Sequence, residues 1–196
     1  MKKIGITGGI GSGKTTVCRI FETLGIPVYY ADERAKWLMS HNKKLMTDIK
    51  ALFGAEAYTP EGTLNRKFLA EKAFNNRDLL QQLNAVVHPA VFEDGENWFR
   101  QQENVPYALK EAALLYESGG YRLLNAMIVV TAPLELRIQR VVARDNSTEE
   151  EVEARIRQQM PEEEKVALAD YVIFNDGQHS LIEQVMAIHR RLSAAL

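Results

Sequence analysis

The stretch that decides the fold is a glycine-rich run near the amino terminus, Gly8-Gly9-Ile10-Gly11-Ser12-Gly13-Lys14-Thr15. It matches the phosphate-binding loop pattern G-x-x-x-x-G-K-[ST] at every fixed position. The run follows a predicted buried strand, Lys3–Thr7, and precedes a predicted helix from about Gly13 to Leu24, which is the context this loop requires. A turn that only packs a strand against a helix would explain one or two of the glycines. It would not explain four of them within six residues, followed by Lys-Thr.

The composition of the loop follows from the chemistry of binding a triphosphate. Glycines let backbone N–H groups converge on an anion that side chains would block, and the start of the next helix adds further N–H groups and a favourable dipole. Lys14 is expected to reach the β- and γ-phosphates, and the Thr15 hydroxyl is expected to bind Mg²⁺. ATP and Mg²⁺ are therefore the predicted cofactors. The residues predicted to bind the nucleotide are Gly9, Ile10, Gly11, Ser12, Gly13, Lys14, Thr15 and Thr16.

The bulk composition is that of an ordinary soluble globular protein. The chain has 196 residues, 46% of them apolar, and a net charge of −2, so no overall positive field attracts nucleic acid. Cys18 is the only cysteine, which excludes an internal disulfide and suits a reducing cytoplasm. Neither a signal peptide nor an apolar run long enough to span a membrane is predicted, and no obligate protein partner is implied.

Further strands are predicted at Val28–Tyr30, Ala126–Thr131 and Tyr171–Phe174, separated by helical patterns. This alternation predicts an α/β fold with a mainly parallel sheet. Leu109–Leu115 has the composition of a helix, although its position suits a core strand, and on propensity alone it would be assigned as a helix.

Several helix starts are marked in the sequence. Pro133 stands where a helix would begin, because its missing N–H costs nothing in the first turn. Capping boxes are predicted from Ser147 with Glu150 and from Ser180 with Glu183.

Asp32 is the best-placed candidate for a catalytic base. It comes just after the second predicted strand, at the edge of the sheet where ligands bind in open α/β folds. A kinase acting on an alcohol needs a carboxylate to orient the hydroxyl and accept its proton. The alternative is that Asp32 caps the helix that follows, and position alone does not separate the two roles.

Arg137, Arg140 and Arg144 are spaced i, i+3 and i+7 on one predicted helix and share one face. Such a stripe suits a lid over phosphates, since guanidinium groups stabilise charge on the transferred group. The alternative is a solvated face that pairs with the acidic residues after Ser147. Only Arg140 and Arg144 are retained as catalytic candidates.

With these segments assembled, the chain resembles the dephospho-coenzyme A kinase family from Ile4 to about Gly177. The resemblance begins in the extended loop Ile6–Thr15 and continues at Ala31-Asp32 and Ala35. The later segments that carry it are Leu64-Asn65-Arg66, Leu83 through His88-Pro89, Leu114-Leu115-Tyr116-Glu117, Arg140, Arg144-Asp145, Gln159, and Ala169–Ile173 with Asn175. Two positions depart from the family pattern: Tyr30 replaces the first Asp of an Asp-Ala-Asp segment, and Ala113 replaces a Pro, which is expected to loosen that strand end.

The resemblance implies a P-loop kinase fold with a parallel-sheet core at about 1–32, 105–135 and 168–196. It also implies a helical coenzyme A-binding insertion at about 33–104 and a small lid at about 136–167. The implied activity is ATP-dependent phosphorylation of the ribose 3′-hydroxyl of 3′-dephospho-coenzyme A, the last step of coenzyme A synthesis. Asp32 is then the base, Arg66 and His88 contact the substrate, and Asn175 contacts the nucleotide. Composition alone favours a structural role for His88.

Two other functions compete with this one. A P-loop switch ATPase or GTPase predicts a Walker-B-type Asp at a strand end or an Asn-Lys-x-Asp signature, and neither is evident in the sequence. Another nucleoside or nucleotide kinase is opposed only by the later motifs.

The apolar residues of the insertion also allow two interpretations. They could support a groove for the pantetheine arm, or they could form the insertion's own small core. The residues concerned are Phe68, Leu69, Phe74, Leu79 and Leu83.

Overall fold

The computed structural model describes residues 1–74 and 76–194, without the side chains of Phe74 and Arg77. The chain divides into two compact units. The sheet unit comprises Met1–Tyr29 and Gln101–Leu196, and the helical unit comprises Tyr30–Arg100. Among the residues described, no helix is both long and apolar enough to cross a membrane.

The sheet unit is built on five parallel strands in the order β2-β3-β1-β4-β5. Their bounds are β1 (Lys2–Thr7), β2 (Val28–Tyr30), β3 (Tyr107–Glu111), β4 (Ala126–Thr131) and β5 (Tyr171–Phe174). The register pairs Ile4 of β1 with Leu109 of β3 on one side and with Ala126 of β4 on the other. Apolar side chains fill the central strands because helices cover a parallel sheet on both faces, and Ile4, Ile6 and Ile128 are fully buried. The predicted α/β fold with a parallel sheet is confirmed.

In the described part of the sheet unit, α-helices cover the sheet. They are α1 (Lys14–Thr23), α6 (Leu134–Asp145), α7 (Glu149–Ile156), α8 (Glu162–Ala167) and α9 (Leu181–Ser193). The helical unit contains α2 (Ala31–His41), α3 (Lys43–Phe53), α4 (Arg66–Phe74) and α5 (Arg77–Arg100).

The helical unit has a core of its own. Its centre is formed by buried side chains from α3 and the segment after it, including Ile49, Phe53 and Tyr58. Four of the five apolar residues considered for a substrate groove pack into this core, namely Phe68, Leu69, Leu79 and Leu83. The fifth, Phe74, lies outside the described side chains. The core interpretation is therefore correct for these four.

Two local predictions are corrected. Leu109–Leu115 is neither a helix nor a strand throughout: β3 runs from Tyr107 to Glu111, and a turn follows from residue 113. Pairing with β1 and burial outweigh the helix propensity of these residues.

The capping box of α7 also lies one residue later than predicted. Thr148 Oγ1 accepts the Glu151 N–H at 3.3 Å, and Glu151 Oε2 accepts the Thr148 N–H at 3.0 Å. Of the two bonds of the capping box predicted at Ser180, the one to the serine side chain is confirmed, since Ser180 Oγ accepts the Glu183 N–H at 3.3 Å.

Ala113, in the segment after β3, contacts other parts of the sheet unit. The Ala113 carbonyl oxygen accepts the Thr7 hydroxyl at 3.3 Å and lies 3.5 Å from Lys165 Nζ. These contacts connect the segment after β3 to Thr7 and Lys165, and the expected loosening stays a prediction.

Candidate active site

The phosphate loop connects the end of β1 at Thr7 to the start of α1 at Lys14. Gly13 has φ +92°, a left-handed conformation that a residue with a Cβ would adopt only with strain. Within the loop, Ser12 N–H donates to the Gly9 carbonyl at 3.1 Å. Lys14 Nζ donates to the carbonyl oxygens of Gly8 at 3.0 Å and Gly9 at 3.4 Å, so the ammonium lies inside the curve of the loop. Thr15 and Thr16 are exposed on the first turn of α1.

Asn175 and Arg140 hold the second half of the loop. Asn175 Nδ2 donates to the Ser12 carbonyl at 2.8 Å, and Asn175 N–H donates to the Thr131 carbonyl at 2.8 Å. Arg140 donates to the Asn175 carbonyl at 3.0 Å and approaches the Gly11 carbonyl at 3.5 Å. A Cβ on Gly13 would overlap Asn175 Nδ2, so a larger residue there would displace the Asn175 side chain from the loop and would also adopt a strained conformation. Both predicted residues therefore lie at the loop.

Arg144 lies elsewhere. Its guanidinium donates to Asp145 at 2.7 and 3.0 Å, and its side chain is 62% exposed. Arg155 pairs with the same carboxylate at 3.0 Å, and the hydrogen bonds from Arg144 and Arg155 hold the pKa of Asp145 well below its ordinary value. The Arg144 contact is therefore at the surface, and its expected role at the phosphates stays a prediction.

Arg137, which was set aside from the sequence, is buried against the loop and only 4% exposed. Its Nε donates to the Ile10 carbonyl at 3.0 Å, and another of its guanidinium nitrogens pairs with Glu162 at 3.0 Å. The Ile10 N–H donates to Gln159 Oε1 at 3.0 Å. Both backbone groups of Ile10 are therefore held by side chains of the sheet unit, and its expected part in nucleotide binding stays a prediction. In the sequence, the i, i+3 spacing that places Arg137 on the same helix face as Arg140 was the pattern that could have indicated this contact with the loop.

Two further charged side chains are buried, which the sequence alone did not indicate. Glu111 ends β3 opposite Ile6 of β1, and its side chain is buried. Lys165 is fully buried and pairs with Glu117 at 2.9 Å. Cys18 is buried and free, and burial raises the pKa of its thiol.

Within the helical unit, Asp32 is the second residue of α2. The N-cap of α2 is Tyr30, and no side chain makes a capping hydrogen bond there, so the helix-cap interpretation of Asp32 is wrong. Asp32, Arg66 and His88 are all exposed, with His88 on α5 and Arg66 at the first residue of α4.

Comparison with known proteins agrees with this geometry. The dephospho-CoA kinase family model matches residues 2–180. The chain is 40% identical over 186 residues to the dephospho-CoA kinase of Bacteroides fragilis (strain YCH46), covering 95% of this chain and 90% of that protein. It is 44% identical over 179 residues to that of Salinibacter ruber, covering 90% of each. The solved dephospho-CoA kinase from Campylobacter jejuni superposes with a TM-score of 0.72 at 27% identity, covering 98% and 97% of the two chains. The phosphate loop, its supporting side chains and a match along nearly the whole length agree, and the chain belongs to the dephospho-CoA kinase family.

Proposed function

We propose that the protein transfers the γ-phosphoryl group of ATP to the ribose 3′-hydroxyl of 3′-dephospho-coenzyme A, giving coenzyme A and ADP. The observation that carries this proposal is the family match over residues 2–180, which spans both units. A cytoplasmic location is part of the proposal, because the free thiol of Cys18 suits a reducing compartment.

The loop and α1 provide the donors for the ATP phosphates. Backbone N–H groups at the start of a helix and the Lys14 ammonium attract the negative charge of the β- and γ-phosphates. Lys14 Nζ already lies within the loop, against the carbonyls of Gly8 and Gly9. Arg140, which contacts the loop near Gly11, is proposed to stabilise charge on the transferring group. Arg144 can contribute only by leaving Asp145.

Mg²⁺ is the second part of the nucleotide proposal. Mg²⁺ prefers oxygen ligands and keeps several waters, and bound Mg²⁺ would neutralise charge on the phosphates. The Thr15 hydroxyl, exposed on the first turn of α1, is an oxygen ligand of this kind. In the described part of the chain, no three His, Cys, Asp or Glu side chains form a metal cluster. Thr15 is proposed to hold the ion together with water and phosphate oxygens.

Asp32 is proposed as the general base. During transfer, the bond from the γ-phosphorus to the ADP oxygen breaks and a bond to the 3′-oxygen forms, while the hydroxyl proton passes to the Asp32 carboxylate. Its exposure, its place directly after β2 and its lack of a capping role support this assignment. Arg66 and His88 are proposed to bind the coenzyme A part of the substrate, because both are exposed on the helical unit and neither belongs to its core.

The experiment is a comparison of acceptors. With ATP and Mg²⁺, kcat/KM should be high for dephospho-coenzyme A and far lower for adenosine and AMP, since binding energy from the remote pantetheine arm orients the ribose. Phosphorus NMR should locate the new phosphate at the 3′ position. Equal use of adenosine, or phosphate at the 5′ position, would instead identify a nucleoside or nucleotide kinase. Hydrolysis of ATP without any acceptor preference would favour a switch ATPase.

A further inference from the structure

We propose that Arg137, Gln159 and Glu162 are positioning residues that orient two consecutive peptide planes of the phosphate loop and thereby set its affinity for the nucleotide. We name these three residues, with the Ile10 backbone they hold, the Ile10 clamp. The inference rests on the proposed function only in requiring that the loop binds an adenine nucleotide.

The clamp bonds both backbone groups of Ile10 with side chains from outside the loop. Gln159, in the connection between α7 and α8, accepts the Ile10 N–H at 3.0 Å. Arg137 on α6 donates to the Ile10 carbonyl at 3.0 Å. Glu162, the first residue of α8, holds the Arg137 guanidinium at 3.0 Å. The Ile10 side chain packs with Ile138, Val141 and Val152 of α6 and α7.

These bonds determine where the neighbouring backbone groups point. In a trans peptide the C=O and the N–H are antiparallel, and the described residues contain no cis peptide. The Ile10 N–H points to Gln159, so the Gly9 carbonyl points the opposite way. On that opposite side, the Gly9 carbonyl accepts hydrogen bonds from the Ser12 N–H and from Lys14 Nζ. The Ile10 carbonyl points to Arg137, so the Gly11 N–H points away from α6. The clamp therefore fixes the direction of two groups. One is the Gly11 N–H, a predicted phosphate donor, and the other is the Gly9 carbonyl, which accepts from the Lys14 ammonium.

Close packing leaves this arrangement little freedom. A Cβ on Gly9 would overlap the Arg137 guanidinium, and a Cβ on Gly11 would overlap the Arg137 backbone. The Arg137 side chain is 5% exposed and that of its partner Glu162 is 16% exposed, so the ion pair is shielded from screening by salt. A carboxylate at the start of α8 is also favoured by the helix dipole. The clamp thus links the loop to α6 and α8 through a closely packed, buried contact.

The test uses Gln159→Leu, which removes the acceptor for the Ile10 N–H without changing any charge. Its matched control is Gln158→Leu, the same substitution at the adjacent exposed position. Calorimetric titration with ADP should show a Kd increased roughly fivefold to tenfold for Gln159→Leu, as for the loss of one net hydrogen bond, and an unchanged Kd for Gln158→Leu. Arg137→Lys should also weaken ADP binding, because a lysine lacks the planar, forked guanidinium that bonds Ile10 and Glu162 at the same time.

The readouts separate positioning from simple stabilisation. In turnover, Gln159→Leu should raise KM for ATP while KM for dephospho-coenzyme A stays close to wild type. An unchanged ADP Kd in folded Gln159→Leu and Arg137→Lys, even with a lower Tm, would overturn the clamp and leave only a structural role. Failure of the proposed function has a different signature: the wild-type protein would bind ADP but would not phosphorylate dephospho-coenzyme A.

Discussion

Replacing Lys165 by Met tests how much the buried pair between α8 and the turn after β3 contributes to stability. Lys165 is 0% exposed, and its Nζ lies 2.9 Å from Glu117 Oε1. The same oxygen accepts the Met160 N–H at 2.9 Å. Lys165→Met retains an apolar side chain of similar length but leaves the Glu117 carboxylate without its counter-charge.

The expected loss follows from the exposure of the two partners. Removing one member of a buried ion pair costs about 3–5 kcal/mol, because the other charge is left uncompensated. The Glu117 side chain is 21% exposed and still accepts the Met160 N–H in the variant. A loss of stability at the lower end of this range, about 3 kcal/mol, is therefore expected. For a chain of 196 residues, each kcal/mol lowers Tm by about 2–4 °C, which gives a decrease of about 6–12 °C.

Urea unfolding and scanning calorimetry at pH 7 measure this effect. The double variant Lys165→Met with Glu117→Leu should recover most of the loss, since an apolar pair of similar volume can replace a buried ion pair. If the single variant is as stable as wild type, or the double variant is no better than the single one, the ion pair does not carry the energy assigned to it here.

The same pair predicts a dependence on pH. Burial alone would raise the pKa of Glu117, but the hydrogen bonds from Lys165 and from the Met160 N–H outweigh it and hold the pKa below its ordinary value. The resulting stabilisation is present above the pKa of an unfolded glutamate, about 4.3, and is lost as pH falls through the lower folded-state pKa. Acid unfolding of Lys165→Met should therefore show a smaller loss of stability across that range than acid unfolding of the wild type.

The remaining predictions concern the reaction itself. Lys14→Ala should abolish turnover and weaken ATP binding measured by calorimetry, and near-normal turnover would remove Lys14 from the mechanism. Asp32→Asn should lower kcat by roughly 10²–10⁴ with ATP affinity retained, as expected for loss of a general base, and a fully active variant would exclude that role. Arg140→Lys should lower kcat more than it raises KM for ATP, because the planar fork is lost while the charge remains. Arg144→Lys should have a smaller effect on kcat than Arg140→Lys, and a larger one would show that Arg144 leaves Asp145 during turnover.

Much of the architecture was accessible from local sequence patterns. The strands at Val28–Tyr30, Ala126–Thr131 and Tyr171–Phe174 were predicted with the bounds they have, since each is a short run of β-forming residues with turn or helix signals beside it. The phosphate loop was predicted because its chemistry requires glycines, Lys and Thr at fixed spacing. Later motifs extended the resemblance along the chain, and the family model confirms the family.

Two local features differ from what residue type alone indicates. β3 forms from residues with the composition of a helix, because its position beside β1 in a buried sheet outweighs propensity. Asp32 resembles a helix cap by residue type alone, yet α2 begins at Ala31, so Asp32 lies in the first turn and not at the cap. Propensity describes one segment at a time and cannot include the pairing of a segment with its neighbours.

The sequence alone determined that this chain has a phosphate loop on a parallel α/β sheet and which residues stand in that loop. Only the tertiary structure decided which arginine supports the loop. Arg137, Arg140 and Arg144 are chemically identical and share one helix face, yet the first is buried on Ile10, the second contacts Asn175, and the third pairs with Asp145 at the surface. The physical reason is distance along α6: each turn of about 5.4 Å carries the next side chain further from the loop, so only the packing of α6 against the loop selects the residues within reach.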